Sequence, residues 1–413
     1  AAALGLVVVF QPPGFTQLVE SPKPPPPRTH AEMLRMSQAA EKPGLADPFR
    51  GITTNGKIEA GLFPVRSTGV STEPVRAAAA AFLASLDEAQ RARTKFAVDD
   101  DEWRKWMNQS FYVRQGVSFH EMNDRQREAA YNLMRAGLSA KGLQLTRDIM
   151  RLNENLAEIT NHREEHGEWR YHITVMGEPS ATQPWGWQLD GHHAIINYFV
   201  LGDQVVMTPT FAGSEPVFAA AGKYKGTTVL QDEQNRGLAM INALDPGQRG
   251  KAVLFESMVS TDHPPGRYDA NNGRQQSVAF QDNVVIPYEG IRADALSRGQ
   301  RSLLTDLIGH YTNHLRPGHA EAWMRQVISH LDDTHFAWIG RHGEHDPFYY
   351  KIHSPVLLVE FDMHKGVFIA NDEPEKFHVH VTLRSPNGND YGRDLLRQHL
   401  ERDHHLGRPH SHP

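Results

Sequence analysis

The sequence contains no cysteine among its 413 residues. This absence excludes disulfide bonds, zinc sites built from thiolates and a cysteine nucleophile. It leaves the compartment open, because a chain without cysteine can be exported as easily as it can be retained. Histidine and carboxylate side chains are then the ligands from which a metal site would be built.

A block of basic residues is also absent. Charged residues make up 22% of the sequence, and the formal net charge is −6. Nucleic-acid-binding proteins carry clustered Lys and Arg side chains that neutralise phosphates. We therefore expect no nucleic acid partner.

Long apolar runs are missing from the body of the chain, so no stable membrane span is expected there. One apolar run, Ala1 to Phe10, is too short to cross a bilayer. It matches the apolar region of a secretory signal, which predicts an exported protein, periplasmic or extracellular. A buried strand over Leu6 to Phe10 is the alternative. We expect residues 1–72 to form this stub and an extended, Pro-rich leader that includes Pro22 to Pro27.

Sequence motifs for nucleotides and for serine hydrolases are missing too. There is no GxGxxG, no P-loop and no GxSxG elbow. By contrast, histidine is abundant: the chain has 24, and 16 of them lie at or beyond His310. This skew points to metal or acid–base chemistry in the C-terminal third.

The segment from Phe377 to Arg384 is the most informative. Alternate residues of a β-strand point to opposite faces, so His378 and His380 share a face with Arg384, opposite an apolar face. The two histidines then lie roughly 6.6 Å apart along the strand, at about 3.3 Å per residue. Both can reach one metal ion with bonds of about 2 Å. The alternative is a sheet whose polar face meets water.

A second unusual segment runs from Trp185 to His193. We predict that His192 and His193 join the first histidine pair as metal ligands, and that Asp190 orients a ligand histidine. Trp185 and Trp187 are predicted to stack on a substrate ring or sugar. The alternative is a structural aromatic corner with one hydrogen-bonded core histidine.

A third segment, 357–362, places Glu360 and Asp362 on one strand face. A carboxylate beside two histidines forms a ligand set suited to Fe(II), Mn(II) or Zn(II), and we assign Glu360 a catalytic role. Paired carboxylates can also work as general acid and base without metal. Arg384 is predicted to orient an anionic substrate group. Asn387 and Asp390 follow in a turn and are predicted to bind substrate, although helix capping is the alternative.

His310 and His314 have the i, i+4 spacing of zinc-protease ligands on a helix. The Glu that follows the first histidine in those proteases is replaced here by Tyr311. The protease interpretation is therefore weak.

Four helix starts share one capping pattern, in which Asp, Asn or Ser stands three residues before Gln. The capping residues are Asp87, Asn123, Asp245 and Ser297. Each pair of caps precedes a stretch rich in strand-forming residues, and Gln188 to His192 resembles Glu360 to His364. We therefore predict an α+β fold with an internal duplication: two similar halves, each a pair of capped helices packed on a mainly antiparallel sheet. The predicted boundaries are 73–229 and 230–400, followed by a His-rich tail at 401–413.

The chain resembles the domain-of-unknown-function family numbered 3500. The resemblance spans roughly residues 75–400 and is carried by the following segments: Gly186-Trp187 with Gly191 to His193, Thr208 to Gly213, Tyr349 to Pro355 and on to Asp362, and His378 to His380 with Asn387 to Gly392. The resemblance implies no particular reaction. It does imply that many members are bacterial and exported. The charged stretch Met363 to Lys376 departs from the family pattern.

These observations predict a metal-dependent enzyme, a hydrolase or an oxidoreductase, with a histidine and carboxylate site between the two halves. Its cofactor would be a divalent ion; the sequence does not distinguish Zn, Fe, Mn and Cu. Its partner would be a small-molecule or polymer-derived substrate. The alternative function is a non-catalytic module that binds a peptide, glycan or small anion and has structural histidines.

Overall fold

The computed structural model describes residues 26–369 and 373–405, with side chains described up to residue 402. The apolar stub Ala1 to Phe10 and most of the predicted His-rich tail lie outside the described residues. The ten α-helices of the described part are α1 His30–Gly44, α2 Glu73–Ser85, α3 Glu88–Thr94, α4 Asp124–Gly137, α5 Ala140–Thr160, α6 Gln231–Asn242, α7 Pro246–Ala252, α8 Arg298–Thr312, α9 His319–Ser329 and α10 Arg393–His405.

Thirteen strands alternate with these helices. They are β1 Lys95–Phe96, β2 Val117–Ser118, β3 Tyr171–Met176, β4 Trp185–Gly191, β5 Ala194–Leu201, β6 Gln204–Val206, β7 Thr210–Ser214, β8 Val253–Phe255, β9 Ile291–Arg292, β10 His335–Ile339, β11 Tyr349–His353, β12 Leu358–Met363 and β13 Val379–Arg384. The α+β class predicted from the sequence is therefore confirmed.

All thirteen strands belong to one mixed sheet. Its order is β1-β3-β4-β5-β7-β13-β12-β11-β10-β8, with β2 paired to β3, β6 to β5 and β9 to β10. The pairs β1–β3 and β8–β10 are parallel, and the other pairs are antiparallel. The two sheets expected from the sequence are thus joined into one by the β7–β13 pairing.

The predicted similarity between Gln188–His192 and Glu360–His364 does not fall on matching strands. The first segment runs through the end of β4, which follows β3 in the sheet. The second runs through the end of β12. In the sheet order, β4 is the third strand from the β1 edge, whereas β12 is the fourth strand from the β8 edge. The two similar segments therefore lie on strands that do not occupy equivalent positions in the two halves of the sheet.

The two faces of the sheet have different chemistry because side chains alternate along each strand. Apolar side chains such as Trp187, Phe361 and Val381 belong to the main core, together with residues of the capped helices. The opposite face carries His380, Glu360 and other buried polar groups, and a smaller apolar cluster that includes residues of 103–107 and α10 covers part of it. The predicted ligand residues His378 and His380 and the carboxylates Glu360 and Asp362 lie on this polar face.

All four predicted capping boxes are present, at the starts of α3, α4, α7 and α8. Their glutamines also bond to one another in pairs. Gln126 donates to Gln90 at 2.6 Å, and Gln248 donates to Gln300 at 3.0 Å. The predicted leader contains one difference: residues 30–44 form helix α1 rather than extended chain, because Thr29 and Glu32 complete a capping box. No described helix combines the length and the apolar character needed to cross a membrane.

Candidate metal centre

Three imidazoles converge on the polar face of the sheet. Nε2 of His380 lies 2.8 Å from Nε2 of His378 and 3.1 Å from Nε2 of His193. The ligand atoms of the three residues all lie within 4.8 Å of one another. We call these three residues the histidine centre.

Protonation alone cannot satisfy the histidine centre. Each ring nitrogen has one position in the ring plane, which holds either a hydrogen or a lone pair. Nε2 of His380 therefore makes a proper hydrogen bond with only one of its two neighbours. A tetrahedral ion with bonds of about 2.1 Å separates its ligand atoms by about 3.3 Å, so shifts of a few tenths of an ångström would bring both contacts of His380 to that spacing.

The strand period and the neighbouring glycine explain the position of His380. Val379 and Val381 point into the helix-packed core, which directs His378 and His380 to the other face. Gly213 lies opposite His380 on β7. A Cβ atom at Gly213 would lie 2.9 Å from His380 Cδ2 and 2.9 Å from the Val379 carbonyl oxygen. The glycine thus leaves room for the imidazole.

His193 reaches the histidine centre from the turn between β4 and β5. Its backbone has φ 64°, in the left-handed region. The turn is held because the His193 carbonyl accepts from Gly213 N at 2.8 Å, while the neighbouring His192 carbonyl accepts from the Tyr171 hydroxyl at 2.7 Å. The left-handed residue turns the His193 ring toward β13.

Burial keeps the imidazoles of His193 and His380 in the form that binds metal. His193, His378 and His380 are at most 5% exposed. Burial lowers the pKa of His193 and of His380 well below the usual range of histidine. The neutral imidazole carries the lone pair that a metal ion requires, so the two groups are ready ligands at neutral pH.

A carboxylate and a backbone carbonyl orient His378. Its Nδ1 lies 2.8 Å from the Lys365 carbonyl oxygen, which assigns the proton to Nδ1 and the lone pair to Nε2. Glu215 Oε2 lies 3.6 Å from the same Nδ1. Glu215 Oε1 accepts the backbone N–H groups of Val367, Phe368 and Ile369 at 2.8–2.9 Å. Glu215 therefore connects the ligand histidine to the chain that follows β12.

A second histidine–carboxylate pair stands beside the centre. Nε2 of His364 lies 3.2 Å from Asp362 Oδ2, and the His364 ring centroid is 4.0 Å from that of His380. Asp362 is opposite His380 in the sheet register and pairs with Arg274 at 3.3 Å. Burial raises the pKa of Asp362 to about 6 and lowers that of His364 well below its usual range.

A family model described as "Protein of unknown function (DUF3500)" matches residues 68–393. The chain belongs to this family. No curated protein and no solved structure matches the chain. Because the DUF3500 description gives no reaction, the chemistry of this site rests on its geometry.

Three of the four predicted metal ligands in this DUF3500 chain meet in the centre. The fourth, His192, lies beside it: its ring is stacked on His193 with centroids 3.9 Å apart, and its Nδ1 is 2.8 Å from Asn153 Oδ1. Asp190 pairs with Arg114 at 3.1 Å. The predicted ligand role of His192 and orienting role of Asp190 stay predictions.

Glu360 lies on the same face as the centre but opposite Thr382 in the register. Its carboxylate accepts from the Tyr349 hydroxyl at 2.7 Å, from Ser277 N at 2.8 Å and from the Ser277 hydroxyl. The carboxylate opposite His380 is that of Asp362. Asp362 is therefore the carboxylate nearer the centre, and the catalytic role of Glu360 stays a prediction.

The predicted anion and substrate residues have protein partners. Arg384 forms ion pairs with Asp282 at 2.6 Å and with Asp390 at 2.7 Å. Asn387 donates from Nδ2 to the Pro355 carbonyl at 2.8 Å. Trp185 and Trp187 are fully buried on the helix-packed side of the sheet. Their binding roles stay predictions, and the centre does not depend on them.

Sequence reasoning gave no role to several residues of the site. His364 directly follows β12 and continues the alternation of Glu360 and Asp362. This alternation could have predicted that His364 lies on the same face as the two carboxylates. Glu215 and Arg274 gave no local signal, because long-range folding brings them to the centre.

A separate pocket opens at the far end of β13. It has a volume of about 350 Å³, and its lining includes Trp323, Asn389 and the exposed cations Arg66 and Arg325. Oδ1 of Asn389 is buried and has no hydrogen-bond partner in the described structure. The pocket therefore offers an aromatic face and positive charge.

Proposed function

We propose that the protein is a metal-dependent enzyme whose divalent ion is bound by His193, His378 and His380. The observation that carries the proposal is the convergence of three buried Nε2 atoms. Nε2 of His380 contacts the other two, and one of these two contacts has no hydrogen between its nitrogens. Three imidazoles form a ligand set of catalytic zinc, with one position left open.

Two carboxylates outside the ligand set support binding of a dication in this buried position. Glu215 lies 3.6 Å from His378, and Asp362 lies 3.2 Å from His364. Their negative charges offset the charge of the ion without occupying its open position. Both carboxylates also lie within ion-pair distance of an imidazole, which favours the observed ring positions.

We favour hydrolysis as the reaction class, with oxidation as the alternative. A divalent ion in an open three-histidine site would lower the pKa of a water molecule toward neutrality. His364 is placed to take up the released proton, and Asp362 holds its ring. The substrate would be a small or polymer-derived molecule.

Metal content tests the proposal. The experiment uses the full chain with His404, His405, His410 and His412 replaced by glutamine, which removes adventitious terminal ligands. Replacing His378 and His380 by glutamine is expected to remove one equivalent of Zn²⁺, measured by elemental analysis after loading and dialysis.

Replacing His120, which is exposed, and His330 by glutamine is the matched control, and it is expected to leave the metal content unchanged. Equal metal content in the His378/His380 variant and its parent would refute the assignment. Hydrolysis of p-nitrophenyl acetate then tests the reaction class: His364→Gln should keep the metal and slow hydrolysis by about 100-fold or more.

The binding module remains the second candidate, and the pocket beside Asn389 favours it. Its exposed cations Arg66 and Arg325, together with Trp323, suit an anionic ligand that has a flat ring or sugar face. Stabilisation of the chain by galacturonate without turnover, lost in Arg66→Ala with Arg325→Ala, would support this function. Stabilisation that survives the double substitution would count against it.

We also propose that the protein is exported and that its halves arose by duplication. The apolar run Ala1 to Phe10 supports export, and periplasmic fractionation of a tagged full-length chain tests it. The order of elements supports duplication, because α3 leads into β1 and α7 into β8, each parallel to a later strand. Failure of residues 73–229 to superpose on 230–400 would contradict it.

A further inference from the structure

A second group of metal-binding side chains lies between α6 and the end of α8, among the helices that pack on the apolar face of the sheet. Glu233 Oε1 lies 2.8 Å from Nε2 of His310 and 4.0 Å from Nε2 of His314. The three ligand atoms lie within 4.8 Å of one another. We call this group the helix cluster.

The spacing within the helix cluster suits a metal ion. His310 lies in the last turn of α8 and His314 in the turn that follows, with their ring centroids 5.8 Å apart, and the carboxylate reaches them from the facing helix. Ligand atoms around a tetrahedral zinc ion lie about 3.3 Å apart, a value between the two observed distances. The sequence did not favour a zinc-protease site at this histidine pair, because Tyr311 replaces the Glu that follows the first histidine in those proteases. In the structure a third possible ligand, Glu233, comes from α6.

The hydrogen bonding of the helix cluster is incomplete. Nε2 of His314 is buried and has no hydrogen-bond partner in the described structure, although it faces the Glu233 carboxylate. Glu233 and His310 are 3% and 5% exposed. A buried nitrogen without a partner costs stability, and an ion in contact with all three groups would remove that cost.

Lys141 occupies a neighbouring position on α5. Its Nζ lies 2.8 Å from Nδ1 of His310, so the ammonium donates to Nδ1 and leaves the Nε2 hydrogen to bond Glu233. Metal binding at Nε2 requires the opposite tautomer, with the hydrogen on Nδ1. The ammonium must then move, and Asp232, 3.7 Å away, offers it another partner.

We propose that Glu233, His310 and His314 form a second divalent-metal site of the zinc type, for which Lys141 competes. The ion would join α6 to the end of α8. This site is independent of the histidine centre, which lies on the other face of the sheet.

Zinc stoichiometry tests the second site in the full chain with the four terminal histidines replaced by glutamine. The parent should bind two equivalents of Zn²⁺, and His310→Gln with His314→Gln should bind one. The His378/His380 variant should also bind one, so failure of either site is seen separately. The His120/His330 variant is the matched control. The proposal would be overturned if the His310/His314 variant still bound two equivalents. It would also be overturned if the parent bound only one equivalent and the His310/His314 variant bound the same amount.

A second variant keeps the proposal testable if the His310/His314 variant does not fold. Lys141→Met removes the competing ammonium, so the Kd for Zn²⁺ at the helix cluster, measured in the His378/His380 variant, should fall by about tenfold. Lys57→Met, at an exposed position, is the control. An unchanged Kd in Lys141→Met would contradict the proposal, because the ion would then not be bound at His310.

Discussion

The histidine centre and the helix cluster differ most in charge. The first has three imidazoles, with Glu215 and Asp362 outside the ligand set. The second has a carboxylate in its ligand set and the Lys141 ammonium in contact with His310. The charges of the helix cluster therefore offset one another without a metal ion, whereas one of the two contacts of His380 in the histidine centre lacks a proton. We expect the histidine centre to bind Zn²⁺ more tightly.

The two sites are also assembled differently. Strand alternation and register bring His193 to His380 across 187 positions of sequence. The helix cluster combines one helical turn with a single residue from α6. The side chain of His314 keeps 15% of its surface exposed, while the histidine centre is enclosed. A rigid sheet favours a fixed ligand geometry, and an accessible helix end favours exchange.

The largest effect is expected from Asp362→Ala. The change leaves the guanidinium of Arg274 buried without its carboxylate, which costs about 3–5 kcal/mol of unfolding free energy. Urea unfolding measures the loss, and zinc titration should show weaker binding at the histidine centre alone. Asp124→Ala, which removes an exposed carboxylate paired with Arg127, is the control. Equal stability of the two variants would contradict the ion-pair assignment.

Gly213→Ala is expected to act on the histidine centre and spare the helix cluster. The new Cβ would lie 2.9 Å from His380 Cδ2 and from a backbone oxygen, so something must shift at a cost of about 1–3 kcal/mol. Zinc affinity at the histidine centre should fall by 10- to 100-fold. Gly250→Ala has open space around its Cβ and is the matched control. A normal Kd in Gly213→Ala would show that the ring position is not critical.

Acid should affect the surroundings of the two sites in different pH windows. Burial lowers the pKa of His166, whose ring contacts His192, to about 3. Between pH 6.5 and 3 the unfolded chain binds a proton there that the folded chain does not, so stability falls as pH falls. His166→Gln should reduce that loss by about 1.4 kcal/mol per pH unit.

The helix cluster should respond at lower pH. Burial is the largest single influence on Glu233 and opposes its ionisation, but the hydrogen bond from His310 and the electrostatic interactions with His310 and His314 together outweigh it, so the pKa lies below the usual value of 4.5. Its stabilising contribution is present above pH 4.5 and is lost as the pH falls through the folded-state pKa. Urea unfolding of metal-free His166→Gln and Glu233→Gln from pH 7 to pH 3 separates the two windows. Parallel pH profiles would contradict the assignment.

The sequence predicted features that repeat with a short period. Strand alternation identified the shared face of His378 and His380, and the spacing of Gln from its cap identified four helix starts. These signals are local, because side-chain direction follows from the backbone of a single element. The α+β class followed from the same evidence.

The partners of those residues could not be predicted, because they come from distant parts of the chain. No residue near His310 in the sequence indicates that Glu233 faces it. The need for glycine at position 213 becomes clear only from the β7–β13 register, which places it opposite His380. Similarly, sequence analysis assigned no role to the stretch from Met363 to Lys376, yet it includes His364 and the amides that Glu215 binds. Strand register and long-range packing determine these contacts, and neither can be predicted from a single sequence.

The smallest effect is expected from Glu215→Gln. The amide oxygen can still accept the N–H groups of Val367, Phe368 and Ile369, but without the charge that strengthens those bonds, so the loss is about 1 kcal/mol. Hydrogen exchange of these three amides should accelerate about fivefold. Zinc affinity at the histidine centre should weaken slightly, since Glu215 also offsets charge near His378, and the helix cluster should be unchanged. Asp203→Asn is the control. It removes the charge of another carboxylate that accepts backbone N–H groups, here in the 67–69 turn and partly exposed. If Glu215→Gln weakens both zinc sites equally, the carboxylate acts through the stability of the whole chain, and the distinction drawn between the two sites fails.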